Sequence, residues 1–223
     1  MHKNYFLEVI GEKPALFSAM LRFNGITPAD DAQTLPDRLA ELFADLPRAC
    51  LEALWRYKPS RKRLLAFAPG PDDPFWDFSE ESRCLALLEP GTLDELAAFY
   101  GATLHAHEIT RTILGKDIAE LRETLGERAH AYALQRGQYR APAGREEFST
   151  RHREMPLGKR ALLHGWEALG IIASGWPQTL QNRVRVVPPA DMPVSAALQN
   201  GIWFDVKKIL IMEVAPAWAP CFA

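Results

Sequence analysis

Apolar residues between Leu93 and Pro142 recur at helical spacing, and turn residues divide the stretch into three consecutive helices. At about 100° per residue, Leu93, Leu96, Ala97, Tyr100 and Leu104 fall on one face of the first helix. Ala98, Ala102, Ala106, Ile109 and Ile113 fall on the opposite face, which leaves a narrow polar strip of Asp94, His105, Glu108 and Thr112. A helix that is apolar on two sides is expected between neighbours rather than at a surface. Gly126 and Gly137 follow the next two helices, at the place where a left-handed residue commonly ends a helix.

The same period runs through most of the chain. Leu16, Met20 and Phe23 mark a helix over Pro14–Asn24, and Leu39, Leu42, Phe43 and Leu46 mark another over Asp37–Asp45. Pro47 suits the first turn of a third, through Leu51, Leu54 and Trp55, because its missing N–H has no use there. Lys58–Glu81 holds five prolines and glycines and reads as loop, with a short extended piece at Leu64, Leu65 and Phe67. Ser79–Leu88 returns to helix with Ser79 as N-cap. Pro142–Pro156 is a charged loop without a stripe. Leu162, Trp166, Leu169, Ala173 and Trp176 then mark a strong helix. Gly165 and Gly170 within it each cost about 1 kcal/mol relative to Ala, a cost that close approach of a second helix would explain. Leu180–Val187 is read as a short helix although Val184 and Val186 alternate with arginines. The last helix ends near Val214, with Trp203, Val206, Leu210 and Val214 on one face, and Pro216 and Pro220 predict an extended tail. The expected architecture is all-α: about eight to ten helices in one compact domain spanning residues 1–223, closed by that tail.

Composition narrows the function classes. The hydrophobic fraction of 48% and charged fraction of 24% are those of a globular protein, and the formal net charge of −2 gives no general attraction to nucleic acid or anionic lipid. Cys50, Cys84 and Cys221 are odd in number and widely spaced, which suits a reducing compartment and offers no CxxC zinc framework. No signal-peptide core opens the sequence. The nearest membrane candidate, Ala161–Trp176, is interrupted by His164 and Glu167 and reads as a buried helix. A cytoplasmic location is expected.

Few residues invite chemistry. His105 and His107 stand two apart on a helix, point in different directions and cannot share a metal ion; His105 with Glu108 supplies two ligands at most. His105 and Glu108 are therefore read as a solvated pair, and His107 as a partly buried, hydrogen-bonded core histidine. Arg111 shares the Leu93–Tyr100–Leu104 face and is given a structural role, because a charge there needs a partner. Glu146, Glu147, His152 and Glu154 lie in a loop that lacks the burial acid–base catalysis requires. No nucleophile elbow or P-loop pattern occurs. No catalytic residue, metal or cofactor is expected. The cluster Arg56–Arg63, with Arg61, Lys62 and Arg63, stands against an acidic run containing Asp72, Asp73, Glu80 and Glu81. It is either a solvated loop or a protein-docking surface. Trp218 and Phe222 in the apolar tail either staple it to the body or offer it to a partner. These residues are the candidate partner-binding set.

Two segments carry a family likeness. GKDIAELRETLGERAHAYALQRG, residues 115–137, resembles the helix–Gly–helix segment of the YscK-like family, cytoplasmic accessory proteins of bacterial type III secretion. KKILIMEVAPAWAPCFA, residues 207–223, is similar to that family's C-terminal apolar helix and Trp-x-Pro-Cys-Phe-like end. The segments stand in the expected order, and the likeness extends over about the last 130 residues. The resemblance implies a non-enzymatic adaptor of the injectisome sorting platform. Such a protein links the forkhead-associated-like cytoplasmic domain of the inner-membrane ring to the pod protein, without a cofactor and without inserting in the membrane. The alternatives from the residues alone are a helical small-molecule enzyme around His107 and Arg111, and a nucleic-acid-binding module using residues 56–63.

Overall fold

The computed structural model of the protein describes residues 3–24, 46–57, 60, 75–181, 184, 189, 190, 192 and 194–222. Every regular element among them is helical, and the chain is all-α as its periodicity predicts. It divides into two compact units, Met1–Asp77 and Phe78–Ala223, where the apolar pattern marks no boundary.

In the first unit α1 spans Lys3–Glu12, α2 Pro14–Phe23 and α3 Arg48–Arg56. Helix α1 has no counterpart in the sequence reading. Val9, Leu16, Ala19, Met20, Leu51 and Trp55 are buried. Asn24 closes α2: its side-chain amide donates to the Met20 and Phe75 carbonyls at 3.0 and 2.8 Å, and its oxygen accepts the Phe75 N–H at 2.8 Å. The helix expected over residues 37–45, the extended piece at residues 64–67 and the basic cluster at residues 61–63 lie outside the described residues.

In the second unit α4 spans Pro90–Leu104, α5 Ala106–Ile109, α6 Gly115–Leu125, α7 Glu127–Gln135, α8 Arg145–Ser149, α9 Leu157–Ala173, α10 Gln178–Gln181 and α11 Ala196–Ile209. A 3-10 stretch, Glu81–Leu87, precedes α4; a π turn at Leu210–Val214 and a second 3-10 stretch at Pro216–Phe222 follow α11. Helix α4 is buried continuously from Leu96 to Leu104, the central position its two apolar faces require. It crosses α9 antiparallel with almost no separation. A Cβ built on Gly101 would lie 1.9 Å from the Ala161 carbonyl oxygen, and one on Gly165 would lie 1.9 Å from that of Ala97. The two Ala-x-x-x-Gly pairs, Ala97/Gly101 and Ala161/Gly165, therefore bring backbone against backbone. Gly165 acts as its sequence context suggests, and Gly101 is its counterpart.

Several boundaries depart from the pattern. The first helix of the 93–142 stretch stops at Leu104 instead of continuing to Ile113, which is 85% exposed. Gly126 takes φ 83°, ψ 152° between α6 and α7, a region essentially restricted to glycine, whereas Gly137 keeps an ordinary φ and opens a 3-10 turn. The N-cap position falls on Glu80 rather than Ser79, and the segment that follows is a 3-10 helix. The 142–156 segment is not a featureless loop. It contains α8, whose Phe148 is fully buried. The tail is not extended; it winds as a 3-10 helix that buries Cys221 and Phe222, with the Phe222 ring 5.8 Å from that of Trp203. Proline fixes φ near −65°, a value that a 3-10 turn accepts as readily as an extended chain.

Candidate functional site

The end of α4 creates the most unusual chemistry among the described residues. His105 leaves the helix at φ −103°, ψ 11°, and its ring turns inward, 3% exposed. The short helix α5 then returns Glu108 to the ring: His105 Nδ1 and Glu108 Oε1 stand 2.8 Å apart. On the other side His105 Nε2 stands 2.8 Å from Nδ1 of His164, which is completely buried on α9. Arg160, one turn before His164, donates to Glu108 Oε2. Glu167, 9% exposed, lies nearly one turn beyond His164.

A second arm approaches from the segment after α8. His152 adopts φ 51°, a left-handed conformation uncommon for a residue with a side chain. Its ring lies 5.6 Å from that of His164, and Phe148 packs 5.0 Å from the same ring. His152 Nε2 is 3.5 Å from Glu167 Oε1, which also accepts from Arg151 Nη2 at 3.0 Å. One potential ligand atom from each of His152, His164 and Glu167 lies within 4.8 Å of the others.

The protonation states follow from these partners. Burial alone would raise the Glu108 carboxyl, but the His105 hydrogen bond and the Arg160 guanidinium outweigh it and hold the group below the usual carboxylate range. Burial lowers His105, with Glu108 opposing in part. Burial, reinforced by positive charge from the neighbouring histidines and arginines, pushes His164 down to about 3. Both rings are therefore neutral at pH 7. An ionised Glu108 can only accept, so Nδ1 of His105 carries its proton and Nε2 is bare. Nδ1 of His164 must then donate to it, which leaves a lone pair on His164 Nε2. That atom, Nε2 of His152 and Oε2 of Glu167 are all buried without a hydrogen-bond partner.

His105 and Glu108 do pair, as expected, but only Glu108 is solvated: its side chain is 49% exposed, whereas His105 is buried and passes the contact on to His164. His107 is a correction in the opposite sense: it is exposed, at the rim of a cleft of about 330 Å3 walled by Leu104, His105, Glu108, Phe148 and others. Arg111 is likewise exposed and has no core charge to neutralise. Both errors have one cause. The helical register that assigns His107 and Arg111 to the core face ends at Leu104, and the restart at Ala106 exchanges the inner and outer positions. Among the candidate partner residues, Glu80 accepts from Ser82 Oγ at 2.8 Å and pairs with Arg83 at 3.2 Å, and Glu81 pairs with Lys207 at 2.6 Å. Trp218 is half-buried and Phe222 is buried in the body. Arg61, Lys62, Arg63, Asp72 and Asp73 lie outside the described residues.

The sequence did carry one signal of this site. His164 and Glu167, three apart on an otherwise apolar helix, share a face, and two polar groups buried together need partners. No protein-family model matches the chain, and comparison with curated proteins and with solved structures returns no match.

Proposed function

We propose that the chain is a non-enzymatic adaptor of the type III secretion sorting platform, joining the forkhead-associated-like cytoplasmic domain of the inner-membrane ring to the pod protein. The resemblance of residues 115–137 and 207–223 to the YscK-like family supports this reading. So does one observation: the two segments, distant in sequence, are stitched together in the fold. Arg128 Nη2 donates to the Glu213 carbonyl at 2.6 Å, and Arg136 Nη1 pairs with Glu213 Oε1 at 2.6 Å. These residues lie in or beside segments that expose Leu134, Tyr139 and Met212, large apolar side chains of the kind that anchor protein interfaces. No helix among the described residues is long and apolar enough to cross a membrane, so recruitment to the inner-membrane face would run through the ring domain.

Arg61, Lys62, Arg63, Asp72 and Asp73 remain the charged docking candidates, with exposed Glu80 beside them in sequence. Glu81 and Phe222 are committed to contacts within the second unit. The test is co-purification from cells that express both partners. The adaptor retains the ring domain and the pod protein together; retention of neither refutes it. A second reading, a small-molecule enzyme, draws on the cleft below His107. It predicts turnover or ligand binding without retained protein partners.

A further inference from the structure

We propose that His152, His164 and Glu167 form a zinc site, with two imidazoles and one carboxylate as protein ligands and the fourth tetrahedral position open to solvent. This inference is independent of the adaptor reading. It also departs from the expectation of a metal-free chain, because the ligands come from two segments whose convergence no spacing rule reveals.

Three features carry it. The first is the lone pair on His164 Nε2. The Glu108–His105–His164 chain of hydrogen bonds fixes the tautomer, so that this buried atom faces its surroundings as an acceptor without a donor. A buried acceptor left unmade costs about 1–3 kcal/mol, a cost that a bound cation removes. The second is convergence: one ligand atom from each of His152, His164 and Glu167 lies within 4.8 Å of the others, and Nε2 of His152 and Oε2 of Glu167 are buried without hydrogen-bond partners. The third is the outer shell. Zinc-bound histidines almost always donate their other ring N–H to a fixed acceptor, most often a carboxylate, backbone carbonyl or water, and bound carboxylates are themselves hydrogen-bonded. Here His164 leads through His105 to Glu108, and Glu167 is held by Arg151.

Charge selects the ion. Glu108 faces Arg160 and Glu167 faces Arg151, so the pocket has little net negative charge to offer. Calcium and magnesium, which depend on several oxygen ligands, are excluded on that ground, whereas zinc bonds well to neutral imidazole. The His152 side chain, 33% exposed, provides the entry route.

The test uses the full chain, stripped with a chelator and dialysed against Zn2+, Mg2+ or Ca2+ separately. The expected result is one zinc per chain by elemental analysis, a raised melting temperature with zinc alone, and visible absorption bands of four-coordinate Co2+ after cobalt substitution. His152→Ala, at a partly exposed position, should keep its helical spectrum and lose the ion. His164→Gln should also lose it. His105→Phe, which removes only the outer shell, should weaken zinc binding about 10–100-fold. Less than stoichiometric zinc with an unchanged melting temperature would overturn the proposal. So would full zinc retention by His152→Ala, which would place the ion elsewhere, for example on exposed Cys50. If His164→Gln fails to fold, His152→Ala decides alone.

Discussion

The crossing of α4 and α9 makes a prediction whose sign differs from that of helix propensity. Gly165→Ala in an ordinary helix interior should stabilise by about 1 kcal/mol. Here the new methyl would sit 1.9 Å from the Ala97 carbonyl oxygen, where ordinary contact begins at 3.4 Å, a shortfall of about 1.5 Å. The obstacle is backbone within a continuously buried helix and cannot rotate away as a side chain would. Relief requires moving α4 off α9, and a gap of only about 0.5–1 Å already forfeits a quarter to a half of each dispersion contact along the seam. Overpacking typically costs about 1–3 kcal/mol and occasionally more. A rigid obstacle of this size belongs at the upper end. Net of propensity, we expect a loss of about 2 kcal/mol or more. For a chain of this length that lowers the melting temperature by about 4–8 °C. Thermal and urea melts followed by circular dichroism measure it. Gly101→Ala should behave alike, and the double variant should cost less than the sum, since one separation relieves both clashes. An unchanged or raised melting temperature for Gly165→Ala would refute the close crossing.

Other outcomes follow from particular contacts. With metal chelated, the chain should lose stability as the pH falls. His164 has a folded value of about 3 against an ordinary 6.5, so the unfolded chain takes up the proton first. Its contribution is complete above pH 6.5 and declines by about 1.4 kcal/mol per pH unit below it, and urea melts that agree at pH 7 and pH 5 would contradict the buried neutral ring. Phe222→Ala should cost about 3–5 kcal/mol, as for a buried core ring; an unchanged melt would mean that the tail is free for a partner. Arg61→Glu with Lys62→Glu should keep the helical spectrum yet weaken binding to the ring domain or the pod protein, most at low salt. Equal affinities at low and moderate salt would show that this segment is ordinary solvated surface.

The helical class was legible because burial of α4, α9 and α11 imposes a 3.6-residue repeat, and because Gly165 in an apolar helix signals a close neighbour. The end of α4 was not legible. The apolar repeat runs on through Ile109 and Ile113 without proline or glycine. The exit is instead stabilised by a bond from His105 to His164, 59 residues away. That one tertiary contact decides which of His105 and His107 is buried, and no local rule contains it. The candidate site was legible only as His164 and Glu167, two polar residues on one face of an apolar helix. His152 joins them through a left-handed backbone conformation that nothing in its charged surroundings specifies. The tail misled for a simpler reason: its prolines restrict φ, but the burial of Phe222 chooses between the shapes they permit.

The adaptor assignment is tested most directly by titrating the full chain against the purified cytoplasmic domain of the inner-membrane ring and the purified pod protein, first separately and then together. Each partner should bind alone, and a ternary complex should form that the two partners do not form without this chain. Binding to neither partner, or to one partner in a way that excludes the other, would contradict the assignment.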